Sequence, residues 1–157
     1  MGSWLPYVLD VCDEMGLMLV APSGKYLAGS TIEQGMQWFT DFDGFSRRYW
    51  AFEETIDAAL KQAGKMKKLD PLRTVIVGEG QGGILAFNAA VRSPRLYRAA
   101  VIVDGLPLVG LLGAATENAA KAGLKVRWFT SPRRLFGVAS DEGAAVIAQL
   151  SPALRQA

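Results

Sequence analysis

The residues of this 157-residue chain with the clearest chemical potential form a glycine-rich turn, Gly78-Glu79-Gly80-Gln81-Gly82-Gly83. An apolar run at 74–77 precedes the turn and predicts a strand, and the residues that follow have the apolar spacing of a helix. A strand that turns sharply into a helix exposes the residue at the turn and aims backbone N–H groups at its surroundings. Position 80 is where such a turn would present a nucleophile or bind an anion.

Two carboxylates lie close to this turn in the predicted topology. Glu79 follows the first apolar run, and Asp104 follows the next predicted strand, 99–103. Ligands of open α/β sheets bind at the carboxyl ends of the strands, so these two side chains could act as an acid–base pair. They could also be solvated carboxylates that pair with Arg133 or Arg134, and we favour this simpler interpretation.

Strands and helices alternate along the predicted chain. The apolar patterns predict strands at 17–21, 74–77, 99–103 and 124–129, and helices at 5–15, 52–63, 82–91, 108–122 and 141–150. This alternation predicts one α/β domain over 1–157, a three-layer α/β/α arrangement with a mainly parallel sheet. Continuous apolar runs favour buried strands at 17–21 and 74–77. Residues 23–50 are predicted to be a long, aromatic-rich connection.

The composition argues against several classes of protein. With 17 Lys and Arg against 15 Asp and Glu, the formal net charge is +2. This balance does not indicate a basic surface that binds nucleic acid. Cys12 is the single cysteine, so no internal disulfide forms, and a metal site lacks both histidines and a cysteine cluster. No apolar run approaches the roughly 20 residues that span a bilayer, and the N-terminal segment lacks the basic region of a secretory signal. We expect a protein of the cytoplasm or an organelle matrix, not a secreted one, without a metal or cofactor.

The turn belongs to a longer motif. Residues 69–83 read Leu-Asp-Pro-x-Arg-Thr-Val-Ile-Val-Gly-x-x-Gln-Gly-Gly, and residues 93–101 read Ser-Pro-Arg-Leu-Tyr-Arg-Ala-Ala-Val. Both segments resemble the carboxylesterase, phospholipase and acyl-protein thioesterase branch of the α/β-hydrolases. The resemblance covers nearly the whole chain, and it implies that the turn is a nucleophile elbow, Gly-x-Ser-x-Gly, with Gly80 at the serine position.

The chain departs from that family at each position of the implied Ser-His-acid triad. Gly80 replaces the nucleophile, the chain contains no histidine, and Arg134 falls near the position of the acid. The resemblance implies Gln81 N–H as one oxyanion donor, whereas the second donor and a central strand would precede Met1. Glycine adopts a positive φ without steric cost, so Gly80 keeps the elbow and removes its chemistry.

A dinucleotide site is the competing interpretation of the turn. Gly78, Gly80 and Gly83 fit the form Gly-x-Gly-x-x-Gly, and Asp104 is the one acidic residue placed to hold a ribose. The Lys-Ser/Thr pair of a P-loop is missing. Because the flanking residues fit the hydrolase branch much better, we expect no nucleotide here.

These departures predict a catalytically inactive, incomplete α/β-hydrolase-like protein that serves as a structural or assembly subunit. A protein partner or a homo-oligomer would cover the incomplete sheet. An acyl- or ester-binding pseudoenzyme, and a serine-esterase-like hydrolase completed by a missing segment or a partner, are the alternatives. No residue is predicted to be catalytic, and the candidate vestigial pocket comprises Glu79, Gly80, Gln81, Asp104 and Arg134.

Overall fold

The computed structural model describes residues 5–22, 24, 26–27, 36–38, 42–105 and 114–129. Contacts divide the chain into two compact units, 1–68 and 69–157, and each is described by itself. The helix predicted at 141–150 lies outside the described residues. The single domain over 1–157 stays a prediction.

Helix α1, Leu5–Glu14, opens the first unit, as the apolar spacing predicts. It ends at Gly16, whose φ is 63°. Leu17 N–H donates to the Cys12 carbonyl at 2.7 Å, and Gly16 N–H donates to the Asp13 carbonyl at 3.1 Å. This pair of bonds is a Schellman motif, which satisfies the last carbonyls of the helix and favours glycine at the left-handed position.

The strand predicted at 17–21 is wrong. In the described part of the chain no strand pairs with these residues, and Leu17, Met18 and Leu19 are 38%, 38% and 36% exposed. A strand is defined by hydrogen bonds to a neighbouring strand, which an apolar run cannot supply by itself. The apolar character of 17–21 predicted burial without identifying the neighbour that burial requires.

The connection predicted at 23–50 contains regular structure. Strands β1, Tyr26–Leu27, and β2, Met36–Gln37, pair antiparallel, and helix α2 spans Phe42–Met66. The prediction of a connection up to residue 50 is therefore wrong. The apolar spacing that marks α2 continues upstream of the helix predicted at 52–63, at positions 42, 45, 49, 52, 56, 59 and 63.

The buried stripe of α2 follows that spacing. Phe52, Ile56 and Ala63 are buried, whereas Asp57 and Lys61 are exposed. Charged residues interrupt the apolar ones along this 25-residue helix. None of the described helices combines the length and the hydropathy that a bilayer crossing requires.

The second unit is built on a parallel three-stranded sheet with the order β3-β4-β5. The elements are β3 Val75–Glu79, α3 Gln81–Arg92, β4 Ala99–Val103, α4 Ala114–Lys121 and β5 Lys125–Phe129. A short 3₁₀ helix, Pro71–Arg73, precedes β3. The predicted α/β architecture with a parallel sheet is confirmed, and the three strands lie within two residues of their predicted ends.

The turn before β3 is fixed by Asp70. Its side-chain Oδ1 accepts the Leu72 N–H at 2.9 Å, and its carbonyl accepts the Thr74 hydroxyl at 2.7 Å. Asparagine and aspartate commonly close such turns because their side chains reach backbone donors two residues ahead. The turn ends at Thr74. The Thr74 carbonyl accepts the Arg98 N–H at 2.8 Å, and this bond begins the pairing of the strand with β4.

The two faces of this sheet differ in burial. Ala100, Ile102 and Val126 are buried on the face that α3 covers. On the other face, Val75 is 50% exposed and Val77 is 60% exposed. The strand predicted at 74–77 is confirmed as β3, but its predicted burial is wrong, because neighbouring side chains of a strand point to opposite faces and α3 covers one of them.

Helix α3 is buried along nearly its whole length, from Gly83 to Val91. Asn88 lies within this stretch and is 1% exposed. Neither atom of its side-chain amide has a hydrogen-bond partner among the described residues. A buried amide without partners costs free energy, because water would satisfy it in the unfolded chain.

The substitution Asn88→Leu is expected to stabilise the protein. Asn118→Leu is the matched control, because Asn118 is exposed on α4 and the two changes alter helix propensity equally. We expect the free energy of unfolding of Asn88→Leu to exceed that of Asn118→Leu by about 1–3 kcal/mol, measured by urea denaturation. A loss of stability in Asn88→Leu would show that the amide is satisfied in solution and contradict this account.

Candidate functional site

The turn at Gly80 joins the end of β3 to the start of α3. Gly80 has φ 54° and ψ −119°. Its N–H donates to the Val103 carbonyl at 2.8 Å, which continues the pairing of β3 with β4. Its carbonyl accepts the Ile84 N–H at 3.2 Å, the first bond of α3. One residue thus ends the strand and caps the helix, which is the backbone arrangement of a strand–elbow–helix turn.

A side chain at position 80 would have space around it, but the backbone conformation of Gly80 is unfavourable for a residue with a Cβ. A Cβ added at this position would meet none of the described residues within 4 Å. The positive φ, however, is one that residues with a Cβ rarely adopt and that costs them conformational strain. Glycine removes this strain, so Gly80 keeps the shape of the turn at a lower conformational cost than serine.

Two pairs of glycines allow α3 to lie close against the sheet. A Cβ at Gly78 would overlap the Gly82 carbonyl oxygen. A Cβ at Gly105 would lie 2.8 Å from Gly83 Cα, and one at Gly83 would lie 3.1 Å from Gly105 Cα. Because these positions carry no side chain, the first turn of α3 lies directly on the ends of β3 and β4.

Trp128 of the neighbouring strand β5 binds the segment that follows β4. Its indole Nε1–H donates to the Gly105 carbonyl at 2.8 Å. Its ring contacts Phe87 of α3 with the ring centroids 5.0 Å apart and the planes tilted by 50°. A single side chain of β5 therefore connects the Gly105 backbone to α3. Sequence reasoning missed this role, although a tryptophan near a strand end carries an N–H that needs an acceptor.

The structure brings together four of the five predicted pocket residues. Glu79 ends β3, Gly80 forms the turn, Gln81 begins α3, and Asp104 directly follows β4. Glu79 pairs in register with Val103, so Asp104 lies one residue beyond the partner of Glu79. The fifth pocket residue, Arg134, lies outside the described residues, as does Arg133.

Asp104 has an unusual backbone at this edge. Its φ is 49°, the one positive φ among the described residues other than glycine. Its N–H donates to the Phe129 carbonyl at 2.9 Å, so it extends the pairing of β4 with β5 as Gly80 extends that of β3 with β4. Aspartate tolerates this conformation better than most residues. The two neighbouring strands thus each end at a residue with a positive φ.

Glu79 does not face α3. Alternation along β3 places its side chain on the exposed face with Val77, whereas Gly78 lies on the face that α3 contacts. Glu79 is exposed. In the described part of the chain, no group of three or more His, Cys, Asp or Glu side chains could hold a metal ion. The arrangement provides a helix N-terminus and an elbow without a side chain, rather than a set of converging side chains.

The glycine contacts make a graded prediction for stability. Gly80→Ala is expected to lower the free energy of unfolding by about 1–3 kcal/mol, because it adds backbone strain without a steric overlap. Gly78→Ala is expected to cost more, about 3 kcal/mol or above, because its Cβ overlaps backbone that cannot move aside. Urea denaturation followed by circular dichroism measures both. Equal stabilities, or the reverse order, would contradict the described packing of α3.

Comparison with known proteins adds family evidence to this geometry. Residues 4–123 match the family model described as phospholipase/carboxylesterase, a range that includes α1, the elbow and α4. Searches of curated proteins and of solved structures found no match to the chain. The matched range covers well over half of the 157 residues, and it contains the turn whose backbone has the elbow shape. The chain belongs to the phospholipase/carboxylesterase family of the α/β-hydrolases.

Proposed function

We propose that this protein is a non-catalytic member of its family that acts as a structural or assembly subunit, in the cytoplasm or an organelle matrix. The observation that carries the proposal is Gly80. It occupies the elbow with the backbone that a nucleophile would need, at φ 54° and ψ −119°, and carries no side chain to attack a substrate. The family fold would then be retained for its surface rather than its chemistry.

The requirements of ester hydrolysis support this proposal. A serine hydrolase needs a nucleophile, a base that accepts its proton and an acid that orients the base. Position 80 supplies no hydroxyl, and the sequence contains no histidine. Backbone N–H groups at a helix N-terminus stabilise an oxyanion, but without a nucleophile they have no tetrahedral intermediate to stabilise.

The exposed face of the sheet supports an assembly role. Val75, Val77 and Phe129 are 50%, 60% and 58% exposed, and register places Val75 and Val77 along one strand and Phe129 across the sheet on the same face. Large apolar side chains exposed together are typical of surfaces that bind another protein. Charged side chains of β5, Lys125 and Arg127, lie on this face too.

Purified protein is expected to hydrolyse p-nitrophenyl acetate, butyrate and octanoate no faster than buffer. The reason is the missing nucleophile at position 80. Release of p-nitrophenolate, followed by absorbance at enzyme concentrations up to the solubility limit, measures the rate.

Glu79→Gln is the matched control for this assay. Glu79 directly precedes Gly80 in the sequence and could activate a water molecule in place of a serine. We expect the variant and the wild-type protein to be equally inactive. Ester hydrolysis by the wild-type protein that Glu79→Gln abolishes would contradict the proposal and assign a water-based mechanism.

A second candidate function is the binding of an acyl ligand without chemistry. The observation that favours it is the open volume at Gly80, where an added Cβ meets none of the described residues within 4 Å. The N-terminus of α3 begins at the next residue and favours negative charge. A fatty acid carboxylate could use this combination of open space and N–H groups at a helix N-terminus.

A thermal-shift series separates this candidate from the first. If the elbow binds acyl chains, decanoate is expected to raise the melting temperature, because a ligand at about 100 times its dissociation constant adds about 2.7 kcal/mol to stability. Decanol, which lacks the charge, is the matched ligand and is expected to give a smaller shift. Gly80→Asp places a carboxylate at the same position and is expected to abolish the effect of decanoate. No shift with either ligand would remove this candidate.

A further inference from the structure

Asp104 and Gly105 form one of the two Asp-Gly pairs in the sequence, and the other is Asp43-Gly44. In an Asp-Gly pair the side-chain carboxyl group lies within reach of the next backbone nitrogen, and glycine has no side chain to hinder the approach. Aspartate therefore rearranges to isoaspartate most readily at such pairs. The pair at 104–105 lies where the end of β4 packs against α3, so a change in its main chain would disturb that contact.

The rearrangement needs no reagent other than water. The backbone nitrogen of Gly105 attacks Cγ of the protonated Asp104 carboxyl group, a C–N bond forms, and the side-chain hydroxyl leaves as water with the amide proton. Water then opens the succinimide ring at either of its carbonyl carbons. Attack at Cγ restores aspartate, whereas attack at the α-carbonyl carbon gives isoaspartate, in which the main chain runs through Cβ and Cγ and is longer.

Hydrogen bonds hold the main chain on both sides of the pair. Asp104 N–H donates to the Phe129 carbonyl at 2.9 Å, and the Gly105 carbonyl accepts the Trp128 indole N–H at 2.8 Å. Both partners belong to β5. This strand therefore anchors the peptide group before Asp104 and the peptide group after Gly105, and the attacking nitrogen belongs to the peptide group between them.

Packing on α3 is a second restraint on the reaction. Gly105 is buried, and a Cβ added to it would lie 2.8 Å from Gly83 Cα. The attacking nitrogen has to lose its proton to a base from the solvent, and closure of the ring rearranges the main chain at Gly105. Both steps are opposed while Gly105 stays in contact with Gly83.

The backbone of Asp104 shows that its surroundings restrain it. Its φ of 49° is one that residues with a Cβ rarely adopt, and such conformations persist where the surrounding structure imposes them. Loss of a restraint would let this part of the chain relax away from the sheet. The Trp128 N–H is a restraint that a side-chain substitution can remove without breaking the pairing of the strands.

We propose that the hydrogen bond from Trp128 to Gly105 protects the Asp104-Gly105 pair from conversion to isoaspartate. In the folded protein the reaction then proceeds in molecules in which the end of β4 has opened locally, and the bond lowers the population of these molecules. The proposal concerns the chemical stability of this turn and is independent of the proposed assembly role.

Removal of the indole N–H tests the proposal. Trp128→benzothienylalanine replaces the N–H by sulfur and keeps the shape of the ring that contacts Phe87, and Trp128→Phe removes the same donor with a natural residue. The proteins are incubated at physiological pH and temperature, and peptide mapping with electron-transfer dissociation measures isoaspartate at positions 104 and 43 separately. Wild-type protein unfolded in urea gives the rate of the unprotected reaction.

We expect the folded wild-type protein to convert Asp104 at least about 10-fold more slowly than the unfolded chain does. Both variants are expected to convert Asp104 about 2- to 10-fold faster than the folded wild type, which is the range for the loss of one hydrogen bond. Rates are compared at equal global stability, by adding urea to the wild type until its free energy of unfolding matches that of the variant.

Val126→Ala is the matched control, because it removes buried apolar volume from the same strand and leaves the Trp128 N–H in place. At matched stability we expect this variant to convert Asp104 at the wild-type rate. The rate at Asp43-Gly44 is likewise expected to be unchanged by the substitutions at Trp128.

Equal rates at Asp104 in the wild type and the benzothienylalanine variant, at matched stability, would overturn the proposal. A folded wild type that reacts as fast as the unfolded chain would also overturn it. A parallel rise at Asp43-Gly44 would show that global unfolding controls the reaction and would overturn the role of the bond. If Trp128→Phe fails to fold, the benzothienylalanine variant decides alone, since its ring fills the same space.

Discussion

The close contact between the backbone of α3 and the ends of β3 and β4 is the constraint on which the second unit depends. Gly78 lies against Gly82, and Gly83 lies against Gly105, at separations that leave no space for a Cβ. A helix with larger residues at these positions would have to lift off the sheet. Lifting it would remove the burial of Ile84 and Phe87, which are 0% exposed. The glycines thus allow the apolar packing that stabilises this unit.

This constraint also explains how the elbow can remain when its chemistry is absent. The contacts that hold α3 involve the glycines on either side of position 80, and Trp128 reinforces them from β5 through the Gly105 carbonyl. None of them involves a side chain at position 80. The conformation of Gly80 is therefore imposed by its neighbours, and glycine is the residue that meets it with least strain. The packing of α3 therefore depends on the glycines around position 80, whereas catalysis would depend on a side chain at position 80 itself.

Sequence patterns predicted those parts of the fold that depend on local chemistry. The three strands of the second unit and α3 lie close to their predicted positions, because apolar runs, glycines and Pro94 mark their ends. The segment at 17–21 is apolar for the same reasons but forms no strand in the described chain, since pairing depends on a neighbour that no local pattern specifies. The start of α2 was missed because Gly44 and the aromatic residues resembled a loop, although their spacing is helical.

The positions of the candidate residues around the elbow were predictable to a similar degree. The order of the elements placed Glu79, Gly80, Gln81 and Asp104 at one edge of the sheet, and the structure has them there. The face of the sheet on which Glu79 lies depends on which side of β3 contacts α3. The contact between Gly78 and Gly82 defines that side, and no pattern in the sequence does. The bond from Trp128 to Gly105 joins residues 23 positions apart, and no pattern in the sequence connects them.

The central claim is that the elbow persists as structure without a catalytic apparatus around it. Treating Gly80→Ser with a fluorophosphonate tests this claim most directly, because such a reagent reacts with a serine only when a nearby base activates its hydroxyl. Intact-protein mass spectrometry reads the outcome against an unfolded sample of the same variant. We predict that the folded variant gains no mass, as the unfolded one does not. Stoichiometric labelling of Ser at position 80 in the folded variant alone would reveal a working base and contradict the account.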